Sequence, residues 1–495
     1  MLRRSRKLFV AVFMLYIFAT AFRPIMDPDF WWHLKTGQYI VTTKSIPRTD
    51  IFSVSRFGSE WVTHEWLSEI LMYAVFSLWG FGGLIVVFAL VITFAFWIAY
   101  RRCESRTPHL FVAAVALLLG VTTTTPFWGV RPQMFSLLFA SVFLAVLDKY
   151  QRGEGNRLIW WLVPLMLLWA NMHAGFAIGL VFILLTITGI AIDEAILHKR
   201  SLAFIWTRIR RLCLVWLMCV VAVVINPNGL RLYSYPFETL KSYAQMRYIG
   251  EWQAPDFQDP MFLPLLILIL VLVCVPIFSR KRPRLSELLI LLVTLAAAFR
   301  SVRNIPFFAL VAMPVLADQF WSWLSARDRA TEVISNDGHH DNSRRALAIN
   351  LLGFVVMAVI LTPFLVRRTL GRQPRSQAGY FPVAAVDFIK SQNVPQPIYN
   401  EYQWGGYLIW HLYPQYRVYI DGRADVYGDA LIEEYYTIYG GTRAWREPLD
   451  SHGIRTVLVK PDTPIASLLR QDKGWQNVFE DSHAVIFVRS GTSLQ

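Results

Sequence analysis

The chain has 495 residues, 55% of them hydrophobic and only 17% charged, with a formal net charge of +14 and a mean hydropathy of +0.40. A soluble core of this size needs no repeated apolar runs of about 20 residues, the length that crosses a bilayer as a helix, so composition excludes an ordinary soluble enzyme. A nucleic-acid surface is excluded as well, because the tail from Arg367 onward is nearly neutral (14 Lys+Arg against 13 Asp+Glu) and the surplus lies in loops between apolar runs.

Those runs fall near 8–25, 70–100, 109–126, 132–147, 158–171, 174–196, 207–225, 261–279, 285–299, 304–323 and 347–366, which predicts roughly eleven spans. Basic residues before the first run resemble the start of a signal peptide. The run ends at Arg23-Pro24 without a small-residue cleavage site, so a retained signal-anchor helix is expected. The second run is broken at Gly80-Phe81-Gly82-Gly83, which predicts an interfacial helix over 65–79 leading into the true span.

With the N-terminus cytoplasmic, residues 1–7 and the loops 101–108, 148–157, 197–211, 279–284 and 325–346 hold 23 of the 48 Lys+Arg, as the positive-inside bias requires. These read as retention signals, and 328–346 as a flexible loop. An odd number of spans then puts the tail on the outer face of the inner (cytoplasmic) membrane. Cys103, Cys213, Cys219 and Cys274 lie in or beside spans without CxxC spacing, which excludes a disulfide scaffold and a cysteine metal site.

The tail changes character at about 374. Helices are predicted over 382–390 and 429–437, and strands over 397–400, 417–420, 456–459 and 484–488. Alternating strands and helices predict a small α/β domain with a mostly parallel sheet. The expected division is a transmembrane unit, 1–366, with a long first outer loop at about 26–68, and an extracytoplasmic α/β domain, 367–495.

On this topology the polar motifs meet at one face. Asp27-Pro28-Asp29-Phe30-Trp31-Trp32-His33 follows the first span, then Thr63-His64-Glu65-Trp66. Arg131 lies between the third and fourth spans, Asn171 and His173 between the fifth and sixth, and Arg300 and Arg303 between the ninth and tenth. Carboxylates at a bilayer edge need a partner, a cation, proton or substrate. Arginines on the outer side oppose the charge bias: they either snorkel to headgroups or hold an anion, and planar guanidiniums suit phosphate. Trp31 and Trp32 either stack on a sugar or anchor the loop at the interface. His173 is either a substrate contact or a satisfied structural histidine. His64-Glu65 lacks the second histidine of a zincin motif, and no GxSxG, Walker or dinucleotide fingerprint occurs.

Asp27-Pro-Asp-Phe-Trp-Trp-His-Leu, Ile46-Pro-Arg-Thr-Asp50, Trp61-Val-Thr-His-Glu-Trp66, Gly405-Gly406-Tyr-Leu and Asp421-Gly-Arg-Ala-Asp425 together resemble bacterial membrane proteins grouped with the GT-C superfamily of polytopic glycosyltransferases. That resemblance implies an enzyme that moves a sugar from a polyprenyl-phosphate donor to a glycan, lipid or protein acceptor at the outer face. Asp27 then matches the catalytic acid and Asp29 the second acid, a candidate ligand of a divalent cation, Mg²⁺ or Mn²⁺. Arg131, Arg300 and Arg303 become candidates for the donor phosphate, and Trp31, Trp32, His33, His64, Glu65, Asn171 and His173 for substrate. The alternative is a transporter or flippase of a lipid-linked or anionic substrate, or a polysaccharide polymerase or ligase. Transporters usually carry internal repeats, and none is evident here.

The topology has a direct check. A phosphatase fused after Gln495 is expected to be active and a fluorescent protein that matures only in the cytosol to stay dark; the opposite pattern would mean a miscounted span.

Overall fold

The computed structural model describes residues 2–154, 156–279, 281–326 and 343–491. The loop expected at 328–346 lies outside them as far as residue 342. Thirteen helices run in chain order up to Ser325: α1 (Leu2–Ala21), α2 (Phe30–Thr43), α3 (Trp66–Glu104), α4 (Leu110–Thr124), α5 (Gln133–Gln151), α6 (Leu162–Met172), α7 (Phe176–Ile192), α8 (Leu202–Val223), α9 (Arg231–Lys241), α10 (Tyr243–Tyr248), α11 (Leu263–Phe278), α12 (Leu285–Arg300) and α13 (Ile305–Ser325). A long helix, Ser343–Ala378, leads into the tail. It runs through residue 366, so the boundary expected there falls inside a helix.

A helix occupies each of the eleven apolar stretches. Among the described residues, six helices are long and apolar enough to cross a membrane: Trp66–Glu104, Leu110–Phe127, Gln133–Gln151, Phe176–Leu197, Pro260–Phe278 and Val302–Ser325. The others meet the sequence pattern less fully. Lys7–Ala21 and Leu158–Met172 are short, α8 carries Arg208, Arg210 and Arg211, and α12 has 16 residues. The α3 helix is kinked where the glycine cluster foretold it. Gly80 has φ +60° and ψ −156°, a backbone state that residues with a Cβ rarely enter. At the bundle centre, α13 is apolar all round and buried from Ile305 to Gln319.

Charged groups mark the two ends of the bundle. At one, Arg102 and Arg106 reach Asp148 at 2.8 and 3.2 Å, and Arg106 also reaches Glu287 at 2.7 Å. These arginines, read from sequence as plain retention signals, clamp α3, α5 and α12. The opposite end carries the polar motifs.

The tail sheet has strand order β1-β2-β4-β3, from β1 (Ile398–Asn400), β2 (Thr456–Val459), β3 (Trp475–Glu480) and β4 (Val485–Arg489). Only β1 and β2 pair in parallel; β2–β4 and β3–β4 are antiparallel, so the mostly parallel sheet is corrected to a mixed one. The cause is β3, a partly exposed strand absent from the apolar pattern, which forms a hairpin with β4. The strand expected at 417–420 joins no sheet. Val418 instead pairs with the loop between α2 and α3, accepting from Val54 N at 2.8 Å and donating to Phe52 O at 3.1 Å.

That contact docks the tail on the loop, and Arg423 locks it. Its guanidinium, 1% exposed, forks onto Asp421 (2.8 and 2.6 Å), reaches Asp50 at 2.7 Å and lies over Trp61 at 4.5 Å. Asp50 is in turn held by Ser53 Oγ and by Phe52 N. Removing one partner of such a buried set leaves uncompensated charge, at about 3–5 kcal/mol. Arg423→Met should therefore lower the unfolding temperature and expose the 378–382 junction to protease, whereas Arg417→Met, on a more exposed side chain, should do neither.

Candidate active site

Local sequence sets the acid pair. Asp27 turns the chain by accepting the Asp29 amide on Oδ1 at 2.9 Å, and Pro28 holds the turn; Asp29 then precedes α2, whose N-terminus favours negative charge. Asp27 Oδ2 meets Arg131 Nε at 3.2 Å, and Arg131 forks onto Glu251. Asp29 Oδ1 accepts from Trp32 Nε1 at 3.1 Å. Gly422 of the tail packs directly on the Asp29 carboxyl, where any Cβ would collide with Oδ1, and Gly406 packs on Pro28 and Trp32. Both glycine-containing tail motifs are thus close-approach positions that bring the tail over the acids.

Two chambers meet here. A polar one of about 290 Å³ is lined by Asp27, Asp29, Trp32, His33, His64, Glu65, Arg131, His173, Glu251, Arg303 and, from the tail, Tyr402, Arg423 and Asp425. A larger one of about 730 Å³ is lined by Arg23, Phe88, Ile92, Phe127, Trp128, Met261 and Phe262 and is mainly apolar. Asp27, Arg131, Gln133, Glu251 and Arg303 belong to both walls.

Burial controls the charge states. It raises Asp27, opposed by Arg131. Burial together with the Asp27 charge pushes Asp29 up to about 7. Against burial, Asp27 and Glu251 hold Arg131 firmly protonated, and Arg131 keeps Glu251 at about 2. His33 falls to about 4 and His173 to about 3, mainly by desolvation, so both imidazoles are neutral near pH 7. Burial disfavours the His64 cation, yet the adjacent Glu65 carboxylate lifts His64 above its usual value. Gly175 N and Ser136 Oγ meet His173 Nδ1 at 2.9 and 2.8 Å, and its Nε2 stands 3.4 Å from Glu65 Oε1. Arg303 stacks on Trp252 (5.1 Å) and touches His173 Nε2 (3.3 Å); among the described residues no carboxylate pairs with it.

The structure brings together nine of the residues singled out from sequence: Asp27, Asp29, Trp32, His33, His64, Glu65, Arg131, His173 and Arg303. Three lie elsewhere. Trp31 is buried in an aromatic cluster with Phe81, Phe381 and Tyr407, a staple between α2 and the tail. Asn171 accepts from Trp66 Nε1 and donates to Leu167 O and Ile225 O, each at 2.9 Å, tying α6 to its neighbours. Arg300 faces Leu240 O at 3.4 Å and lines neither chamber. Sequence reasoning missed Glu251, Asp425, Arg23 and Glu69. Two of them carried a signal: Asp425 closes the Asp421-Gly-Arg-Ala motif, and Glu69 is an acid inside an apolar helix.

No family model and no curated protein matches the sequence. Solved structures do match in fold. ArnT from Cupriavidus metallidurans bound to undecaprenyl phosphate aligns over 98% of both chains at 15% identity and TM-score 0.50. The oligosaccharyltransferase AglB from Archaeoglobus fulgidus, in complex with an inhibitory peptide and a dolichol-phosphate, aligns over 91% of this chain and 69% of its own at 10% identity and TM-score 0.54. The mycobacterial arabinofuranosyltransferase AftD aligns over 99% of this chain and 40% of its own at 12% identity and TM-score 0.52. The likeness is one of fold, at identities of 10–15%. This chain has the GT-C fold.

Proposed function

We propose that the protein is a membrane glycosyltransferase that moves a sugar from a polyprenyl-phosphate-type donor to an acceptor at the outer face of the cytoplasmic membrane. The observation that carries this reading is the shared wall of the two chambers. An apolar channel beside a charged one suits an amphiphile: the isoprenoid in the larger space, the sugar in the smaller and the phosphate at the junction. That two of the fold neighbours were solved with undecaprenyl phosphate and dolichol-phosphate supports the same donor class.

In this reading Asp27 is the base, because it alone of the acid pair borders both chambers. It takes the acceptor hydroxyl proton as the oxygen attacks the anomeric carbon and the lipid phosphate leaves from the opposite face. Arg131 orients Asp27 and is satisfied by two carboxylates, so Arg303 is the cation left to hold the phosphate. Arg23, half-buried in the wall of the apolar chamber, donates to Thr125 O at 2.6 Å and keeps its Nε unpartnered as a second donor toward that junction. Ionised Asp29 adds negative charge beside Asp27 and strengthens it as a base.

Asp27→Asn should lower kcat by about 10²-fold or more at every pH, with folding intact. In the wild type kcat should climb with pH and level off above about 7, as Asp29 loses its proton. Asp29→Asn should abolish that acid limb. A limb that survives the substitution would assign the titration to another group.

Arg303→Ala should weaken donor binding by roughly 10- to 150-fold, the worth of a charge-assisted contact of about 1.5–3 kcal/mol. Arg303→Lys should lose less, because it keeps charge without the planar fork. Arg300→Ala should leave donor affinity unchanged. Donor Kd and acceptor KM for the three variants decide it, and equal affinity throughout would place the phosphate elsewhere.

A further inference from the structure

Two buried glutamates and a histidine stand side by side in the wall of the polar chamber. Glu65 immediately precedes α3 and Glu69 lies one turn on, so both project from one helix face, and His33 faces them from the first turns of α2. His33 Nδ1 is 3.5 Å from Glu65 Oε2 and 3.1 Å from Glu69 Oε1. All three residues are buried, at 4%, 7% and 1% exposure. The donor atoms of the three lie within 4.8 Å of one another, and among the described residues no other group of His, Cys, Asp and Glu converges in this way.

Hydrogen bonding leaves this cluster unbalanced. One imidazole nitrogen can offer one proton, yet two carboxylates face it. Glu65 has its other oxygen, Oε1, served by His173 Nε2 at 3.4 Å and His64 Nε2 at 3.6 Å. Glu69 has no such help, and its Oε2 is buried without a hydrogen-bond partner. Leaving a buried carboxylate oxygen bare is costly unless a cation completes it.

We propose that His33 Nδ1, Glu65 Oε2 and Glu69 bind one divalent transition-metal ion, Zn²⁺ or Mn²⁺. Ligands about 2.1 Å from a tetrahedral ion lie roughly 3.4 Å apart, close to the two separations seen here. One nitrogen and two carboxylate oxygens favour zinc or manganese over magnesium, which prefers oxygen and water alone. The histidines on Glu65 Oε1 hold that carboxylate in place, as outer partners of metal ligands do. His33 and Glu65 line the chamber whereas Glu69 does not, so the ion sits in the chamber wall.

The acid pair is a poorer donor set. Asp27 Oδ2 already faces the Arg131 guanidinium, and Asp29 Oδ1 is taken by Trp32 and crowded by Gly422. The cation expected from sequence at Asp29 is therefore reassigned to the neighbouring cluster.

The test is metal content and affinity of the untagged, detergent-solubilised full chain. After stripping with a chelator and titration with Zn²⁺, Mn²⁺ and Mg²⁺, the wild type should take up one Zn²⁺ or Mn²⁺ per chain and bind Mg²⁺ far more weakly. Glu69→Gln keeps the shape of the side chain and should weaken binding at least about 10- to 100-fold, the loss that removal of an outer-shell partner alone can cause. His33→Ala should do the same, and Asp29→Asn should bind like the wild type. Thermal unfolding of each variant checks the fold; should His33→Ala not fold, Glu69→Gln decides. Wild type that binds neither Zn²⁺ nor Mn²⁺, Glu69→Gln that binds as wild type, or loss of the ion in Asp29→Asn each overturns the site. A retained ion without sugar transfer would leave the metal site standing and sink the glycosyltransferase reading instead.

Discussion

The polar face depends on one buried guanidinium. Arg423 sits between Asp421 of its own turn and Asp50 of the loop between α2 and α3, with Trp61 and Phe52 against its plane. Each side of this set is the buried partner of the other, so losing either leaves charge without a counterpart. The pairing pins a loop from the start of the chain to a domain at its end. Its register brings Gly422 onto Asp29 and Asp425 into the chamber wall. The tail domain is thus the roof of the cavity, and its sheet serves to present that one turn.

Charge inside the cavity is matched locally. Arg131 is shared by Asp27 and Glu251, while Glu65 collects three histidines. Burial neutralises two of those imidazoles, so the Glu65 side of the chamber is short of positive charge. The Arg303 side is not, since its guanidinium rests on an indole face instead of a carboxylate. The two sides lie close together, since Arg303 and Glu65 Oε1 flank the same His173 Nε2 at 3.3 and 3.4 Å.

The membrane end without the motifs is built differently. Arg102, Arg106, Asp148 and Glu287 form one set of ion pairs that ties three helices. The arginines that the charge bias singled out in the sequence thus clamp the bundle at this end.

Much of this was legible from sequence, for physical reasons that are local. The apolar runs gave helices because a bilayer tolerates no unpaired backbone. Gly80 kinked α3 because its backbone state excludes a Cβ, and the acids, histidines and arginines converged because alternate helix ends must face the same side. What escaped was decided by contacts between distant segments. The residues 417–420 had strand character but paired with the first loop, and they meet the β1 edge through the Asn400 side chain, which accepts from Tyr419 N at 2.8 Å and donates to Ile420 O at 2.9 Å. Trp31 and Trp32 are neighbours of one type, yet successive positions on α2 point one into an aromatic core and the other into the chamber. Glu251 lies in a loop with no motif and became part of the site only through Arg131. Sequence alone determined the membrane class, the helical segments and the polar face, because hydropathy and backbone satisfaction act within a single segment. Only the tertiary structure decided which polar groups neutralise one another and which remain for a ligand, because that depends on burial and on partners hundreds of residues away.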